Sequence, residues 1–527
     1  MGTATLAQPG VLARPRAHRR VAVLAAAVAT GLILFVCYWR LSWTAVVNSD
    51  GASNALQAWD MLHGNLLLHG WNLSDVSFYT TELPEYMLVE AVLGLSSDVV
   101  HVAAAATYTL LVVLAALLAK GSATGRAGLI RAGIAGGIML APQIGDGTYT
   151  LLLSPDHVGT VVPVLVAWLI LDRARPRWYV PVVIGALLAW ALVADTLILS
   201  IAILPLLLVC AIRAYQGVAQ QRQPWSSQWY MLSLAAAALA AVAAAALLAG
   251  ALRAAGGYRV VSVGVDFAGP AMLASHTWVW VETILALFGA DFFGQRLGLA
   301  AGPALLHLAG VGLAAWAVGA GARRFARDRD LVPALLVAAV LINLAAFLLS
   351  TRLVNVLSAR EIAPVLPFGA VLAARLLSAR LAAARLLPLL LVVLLGYLAV
   401  LGGEVARPAA RAPDQQLADW LVARHFRDGL AAYWEASATT LSSRGRVQVS
   451  PVCAGGGRFH RGTWESQASW YAPTRRYANF IVIGQPAACD LGSAAQAERA
   501  FGRPARAYHV AGYTVLVWRQ NLLGRLG

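Results

Sequence analysis

The segment Asn48-Ser49-Asp50-Gly51-Ala52-Ser53-Asn54-Ala55 follows the first long apolar stretch and places one carboxylate, Asp50, where that stretch leaves the lipid. Polar and acidic residues continue beyond it: Asp60, His63-Gly64-Asn65 and Glu82-Leu83-Pro84-Glu85-Tyr86. Asp156-His157 opens a later apolar run, and Arg352 and Arg360-Glu361 precede another. A carboxylate at a lipid–water boundary has its proton affinity raised by partial burial, which suits it to take a proton from an attacking hydroxyl. An arginine beside it can hold a departing phosphate through two parallel hydrogen bonds. Together such groups can accept a proton and hold an anion at the edge of the lipid. The sequence carries no dinucleotide-binding or P-loop glycine pattern, and a donor already activated by phosphate needs none.

Each of these residues also has a plain structural reading. Asp is a favoured helix N-cap, so Asp50 can simply cap a helix, and Asp156 and His157 can do the same for the run they precede. Arg360 and Glu361 can form an interfacial ion pair. Glu82 and Glu85 are weaker candidates for substrate contact, and Asp195 marks a turn. His101 and His307 fit local hydrogen bonding. No spacing suggests a zinc site, while a divalent metal held by Asp50 and Asp156 stays open.

The elements that must position these side chains are set by composition. Of 527 residues, 59% are hydrophobic and 12% charged, with a mean hydropathy of +0.68. Soluble domains carry about 25% charged residues, so the solvent implied for most of this chain is lipid. The formal charge of +15 does not form a nucleic-acid patch: Lys120 is the only lysine, and the arginines punctuate apolar runs. The Ala/Leu/Arg-rich, lysine-poor composition points to a GC-rich bacterial genome.

Apolar runs long enough to be membrane helices fall near 21–40, 98–119, 127–143, 156–172, 178–194, 195–212, 229–252, 299–320, 331–349, 361–377 and 387–403. Arginines flank both ends of 178–212, which therefore crosses twice, turning near Asp195. Arg14, Arg16, Arg19 and Arg20 precede the first run, which ends at Trp39-Arg40 and reads as an uncleaved helix. With the N-terminus in the cytoplasm, segments placed inside hold nineteen Lys and Arg residues, and those placed outside before the tail hold six. That bias supports eleven spans with the C-terminus outside the plasma membrane. Two outer segments, 41–98 and 253–297, exceed simple turns and predict short amphipathic helices along the membrane surface.

The expected architecture is an α-helical polytopic membrane domain over 1–404 and a small extracytoplasmic α/β domain over 405–527. Pro408 and Pro413 mark the linker. A helix is expected over 414–426, strands over 447–452, 480–483 and 513–518, and a loop at Gly455, Gly456 and Gly457. Cys37 and Cys210 lie in apolar runs and read as packing residues. Cys453 and Cys489 lie in the tail, where an oxidising compartment permits a disulfide, which stays open. Tyr433, Trp434, Trp464, Trp470 and Tyr471 suit either a carbohydrate platform or core packing.

The first outer loop resembles that of the GT-C superfamily of membrane glycosyltransferases, which includes protein O-mannosyltransferases and aminoarabinose transferases. In that group an acidic residue follows the first helix and a further helix continues as A-x-x-M/L-x-x-G, matched here by Ala58, Met61, Leu62 and Gly64. Asp156-His157 and Ser358-Ala359-Arg360-Glu361-Ile362-Ala363-Pro364 are similar to two further family segments, with Glu361 where the family has an aromatic. The family commonly has two adjacent acidic residues where this chain has Asp50-Gly51. The resemblance implies an inverting glycosyltransferase that uses a polyprenyl-phosphate sugar donor at the outer face, with a glycan, lipid or protein as acceptor. In that reading Asp50 assists the acceptor, with Asp156 and His157 in the catalytic set. Arg352, Arg360, Glu361, Glu82 and Glu85 then contact substrate. A transporter or lipid flippase, and a non-catalytic cell-envelope scaffold, are the competing readings. Transporters favour repeats and mid-membrane charges, and here the ionisable residues gather at one boundary.

Overall fold

Long Leu-, Val- and Ala-rich runs in this chain satisfy their backbone internally as helices, the only open-ended arrangement that lipid tolerates. The computed structural model describes every residue except 1–13, 143–145, 294–297, 299–300, 326, 328–329, 384–385, 456, 485–490 and 492. It is 65% helical. Up to the first long connection the helices are α1 (Arg14–Ser42), α2 (Ser49–Leu62), α3 (Glu82–Leu93), α4 (Ser97–Lys120) and α5 (Gly125–Met139). There follow α6 (Asp146–Leu152), α7 (Val161–Arg173), α8 (Tyr179–Ala194), α9 (Leu204–Tyr215), α10 (Trp229–Ala254) and α11 (Pro270–Leu287). The bundle closes with α12 (Gly302–Arg324), α13 (Leu331–Leu349), α14 (Val365–Ala383) and α15 (Leu387–Val405).

Among the described residues, seven helices are long and apolar enough to cross a membrane, or eight if a bent pair at 356–362 and 365–381 is one span. The protein is therefore a helical polytopic membrane protein. Each of the eleven expected runs carries a helix, but α5, α7 and α8 have 15, 13 and 16 residues, fewer than the roughly 20 a perpendicular span needs. The reason is visible at α5. It stops against the middle of α4, where Tyr108 Oη donates to the Met139 carbonyl at 2.7 Å. Tyr149, Thr150, Leu153, Ser154 and Asp156, ahead of α7, line a cavity, a setting in which irregular backbone is tolerated within a membrane. The 178–212 block does turn at Asp195: α8 ends at Ala194 and helix resumes at Leu199 through a single wide π turn.

Of the two helices in the first segment expected to carry surface helices, α3 exposes Leu88 and Val92, whereas α2 is buried. Residues Ser49–Ala58 of α2 are all buried, packed against α3, α4 and the C-terminal domain. An amphipathic pattern is the same whether the apolar face meets lipid or protein. In the 253–297 segment, α11 packs on the turn before α14 and leaves Trp278 exposed.

The C-terminal domain contains α16 (Pro413–Ala423), α17 (Tyr433–Ser442) and α18 (Ala494–Phe501). Strands in chain order are β1 (Trp71–Leu73), between α2 and α3, and β2 (Arg259–Val260), between α10 and α11. The tail adds β3 (Asp428–Ala431), β4 (Gln448–Gly455), β5 (Arg458–Arg461), β6 (Ser466–Gln467), β7 (Ala478–Ile483), β8 (Arg506–Val510) and β9 (Tyr513–Val517). Six of them form one sheet in the order β5-β4-β3-β7-β9-β8, with β3 parallel to both neighbours. Its core is built on Leu417, Leu421, Val449, Phe480 and Val515. The three expected strands are β4, β7 and β9, and the expected glycine loop is the β4–β5 turn, where Gly456 lies outside the described residues. Cys489, and with it the disulfide left open with Cys453, also lies outside the described residues. The domain is stitched to the bundle: β6 pairs antiparallel with β1, and β1 pairs parallel with β2.

Candidate functional site

The end of α1 hands the chain to α2 through a cap, and the cap is Asn48. Its side chain accepts the Gly51 N–H at 3.1 Å, which corrects the capping reading of Asp50. Asp50 sits in the first turn with its carboxylate turned to other elements. Oδ2 accepts from Arg360 Nη1 at 2.9 Å, and Oδ1 accepts from Tyr433 Oη at 2.5 Å. Gly51 leaves no room for a side chain beside Asp50. A Cβ there would lie 2.9 Å from Val100 Cγ1 and 3.1 Å from Ser154 Cβ, so any longer side chain would push α2 off its seat.

Asp156 and His157 occupy the buried segment ahead of α7, whose cap position is Thr160, so neither caps that helix. Asp156 Oδ1 accepts from Asn54 Nδ2 at 2.8 Å, while Oδ2 has no hydrogen-bond partner among the described residues. Burial, then the nearby Asp50 charge, lifts the Asp156 carboxyl to about 6. His157 has a left-handed φ of 60°, a conformation held only where the surroundings over-determine it. Its Nδ1 lies 2.7 Å from Asp195 Oδ2, and its Nε2 lies 3.9 Å from Glu361 Oε1. Burial opposes the imidazolium, but the Asp195 and Glu361 carboxylates outweigh it and raise His157 to about 10. Asp195 thus ends α8 and is also the partner of a buried histidine.

The 3-10 turn Val356–Ile362 before α14 delivers Arg360 and Glu361. Their partners are Asp50 and His157, so they do not form the interfacial pair with each other. Arg352 pairs with Asp75, a residue that sequence reasoning does not single out.

Asp50, Asp156, Arg352, Arg360 and Glu361 line one cavity of about 390 Å³, together with Asn48, Asn355, Ser358 and Trp434. A second hollow of about 180 Å³ shares Arg352 and Glu361 and holds His157, Asp195 and Asn343. Two candidates fall elsewhere. Glu82 is fully buried behind the wall, accepting from Thr160 Oγ1 at 3.0 Å, and burial raises it to about 8. Glu85 accepts from Thr107 Oγ1 at 2.6 Å and does not reach either cavity. Trp470 and Tyr471 are core residues, Trp470 edge-on to Trp71, whereas Trp434 is exposed to the larger cavity. Asp60 accepts from Asn65 and from Trp71 Nε1, a structural role.

Among the described residues no group of three His, Cys, Asp or Glu side chains is arranged to hold a metal. Both Asp50 oxygens already accept from Arg360 and Tyr433. Sequence reasoning missed Glu465, which meets the Tyr433 hydroxyl; it took Tyr433 as a platform or packing aromatic and Asn54 as part of the Asn48–Ala55 segment, without their contacts to Asp50 and Asp156. Two guanidinium groups and three carboxylates facing one hollow can hold an anion and accept a proton from a hydroxyl beside it. No protein-family model matches the sequence, and comparison with curated proteins finds no match.

Proposed function

We propose that the protein is a membrane glycosyltransferase that moves a sugar from a polyprenyl-phosphate donor to a cell-envelope acceptor. The observation that carries this reading is the convergence of Asp50, Asp156, Arg352, Arg360 and Glu361, from three distant stretches of chain, on one cavity. As the acceptor oxygen attacks the anomeric carbon, Asp50 takes its proton, and the carbon–oxygen bond to phosphate breaks. The departing phosphate gains charge, which Arg352 and Arg360 offset. Asp156, with one unpartnered buried oxygen among the described residues, and His157, behind Glu361, set the field around that step.

The GT-C-like arrangement of eleven crossings is part of the same proposal, with the N-terminus in the cytoplasm and the tail outside the plasma membrane. It is supported by the way helix ends are gathered. The segments after α1 and before α14 line the larger cavity and the turn after α8 lines the adjoining hollow, whereas the end of α4, the end of α7 and Arg375 of α14 meet elsewhere. There Arg375 donates to the Leu118 carbonyl and to Asp172, both at 2.6 Å. Short α5, α7 and α8 cross in this reading with help from the cavity-lining segments next to them.

The test is Asp50→Asn in full-length protein in lipid nanodiscs, checked for native expression and monodispersity. Labelled polyprenyl-phosphate hexoses and pentoses are offered with cell-envelope extract as acceptor. Loss of transfer by about a hundredfold or more is expected on removing a general base. Undiminished transfer would take Asp50 out of the chemistry.

A further inference from the structure

Asp50 is reached from the C-terminal domain as well as from the bundle. The Tyr433 hydroxyl, at the start of α17, contacts both Asp50 Oδ1 and Glu465 Oε2. All three side chains are buried: Asp50 and Tyr433 are 8% and 8% exposed, and Glu465 is 2% exposed. A phenol has a single hydrogen and cannot donate to two carboxylates at once. Two ionised carboxylates on one phenol oxygen would also leave one of them facing a lone pair. One carboxyl group must therefore carry a proton and donate it to Tyr433 Oη.

The neighbouring charges decide which. Arg360 Nη1 lies 2.9 Å from Asp50 Oδ2, so the guanidinium charge is paired with that carboxyl group. Glu465 has no cation in hydrogen-bonding contact among the described residues. Its burial, then the Asp50 charge, raises its proton affinity well above that of an ordinary glutamate; the Tyr433 hydroxyl opposes this, Asp156 adds to it, and Arg360 opposes it from a distance. The backbone at Glu465 is held at a φ of 43°, a strained setting for a non-glycine residue that persists where packing imposes it. Ser49 Oγ donates to the Trp434 carbonyl at 2.8 Å, which ties the start of α2 to the start of α17.

We propose that Glu465 is a neutral acid whose O–H donates to Tyr433, and that Tyr433 donates in turn to Asp50, holding that carboxylate ionised and oriented. Tyr433 and Glu465 are positioning residues, and the C-terminal domain is then a component of the site and not a separate appendage. The consequence for catalysis rests on the glycosyl-transfer reading; the protonation of Glu465 does not.

Infrared spectra of the full chain in nanodiscs at neutral pH test the protonation directly, through the C=O stretch of protonated carboxyl groups. Glu465→Gln is expected to remove one such band, and Tyr433→Phe, which deletes its acceptor, to move it to higher frequency. Should Glu465→Gln fail gel filtration, the Tyr433→Phe shift alone decides. A protonated-carboxyl region unaltered by the variants that fold overturns the proposal. In the transfer assay Glu465→Gln retains a donor toward Tyr433 and is expected to keep most of the rate. Tyr433→Phe is expected to lower kcat about tenfold with little change in KM, the worth of one hydrogen bond to a charged group. A tenfold loss in Glu465→Gln with a normal Tyr433→Phe would refute the positioning role. Absence of transfer in the unaltered protein would remove the glycosyltransferase reading and leave the infrared result standing.

Discussion

Replacing Asp195 by asparagine tests whether the wall behind the cavity is held by a buried ion pair. His157 and Asp195 side chains are 6% and 1% exposed, and their contact is 2.7 Å. The side-chain amide of Asp195→Asn can still accept the Leu197 N–H, which Asp195 Oδ1 takes at 2.8 Å. It cannot supply the charge that holds the imidazolium. Removing one partner of a buried pair costs about 3–5 kcal/mol, and the retained hydrogen bond puts this case near about 3 kcal/mol. The pH dependence gives a second signature. The folded-state value of His157, about 10, lies above its ordinary 6.5. Its contribution to stability is therefore complete below about pH 6.5 and is lost as the pH rises through about 10. In Asp195→Asn the imidazole faces burial with only Glu361 at 3.9 Å, so that loss moves toward neutral pH. Thermal unfolding in detergent micelles at one fixed scan rate reads both effects. The double variant His157→Gln/Asp195→Asn should be less destabilised than the sum of the single ones, since neither charge is stranded. Equal midpoints for Asp195→Asn and the native protein between about pH 6.5 and about pH 10 would refute the ion pair.

Two further outcomes follow from the same geometry. Asp156 binds its proton more tightly in the folded chain than in the unfolded one, so native stability falls as the pH rises from about 3.8 through about 6. Asp156→Asn should remove that part of the fall, which unfolding midpoints across this range will show. Gly429 lies in the middle of β3 with the Phe480 ring where a Cβ would go. Gly429→Ala should cost about 1–3 kcal/mol through overpacking and lower the yield of folded protein on gel filtration, with Phe480→Leu in the same chain restoring part of it.

Much of this arrangement is legible because charge is scarce in the chain. With 12% charged residues, an acid or arginine at the edge of an apolar run carries information. Asp50, Asp156, Arg352, Arg360 and Glu361 stand at such edges and line the same cavity. What hydropathy cannot separate is a lipid-facing helix from a buried one, or from cavity-lining backbone of equal composition. That is why the sequence presents α2 as a surface helix and residues 140–160 as the flanks of two full spans. Strand β3 has no signal of its own, because four residues, one of them glycine, carry no period-2 pattern. Asp195 reads as a turn, which it is; that it also binds His157 depends on a fold that brings positions 38 residues apart together.

The contact of Tyr433 with Asp50 spans 383 residues, and its logic is clearest from what Gly51 excludes. The acidic neighbour that the resembled family places next to its first acid has no room here, with Val100 and Ser154 against the missing Cβ. A second carboxyl group nevertheless stands one tyrosine away, on Glu465, and it arrives from the far end of the chain. Among the described residues one guanidinium, Arg360, touches this group of acids, through Asp50. A single adjacent cation stabilises one buried anion far better than two, so the group settles with one charge and one proton. An adjacent acid on α2 would share the exposure and the cation of Asp50 and compete for both. A distant acid, buried in another domain, stays neutral and, in the proposed transfer, leaves Asp50 free to act as the base. The docking of the tail through β6 and β1 and through the Ser49–Trp434 contact is what keeps that division in place.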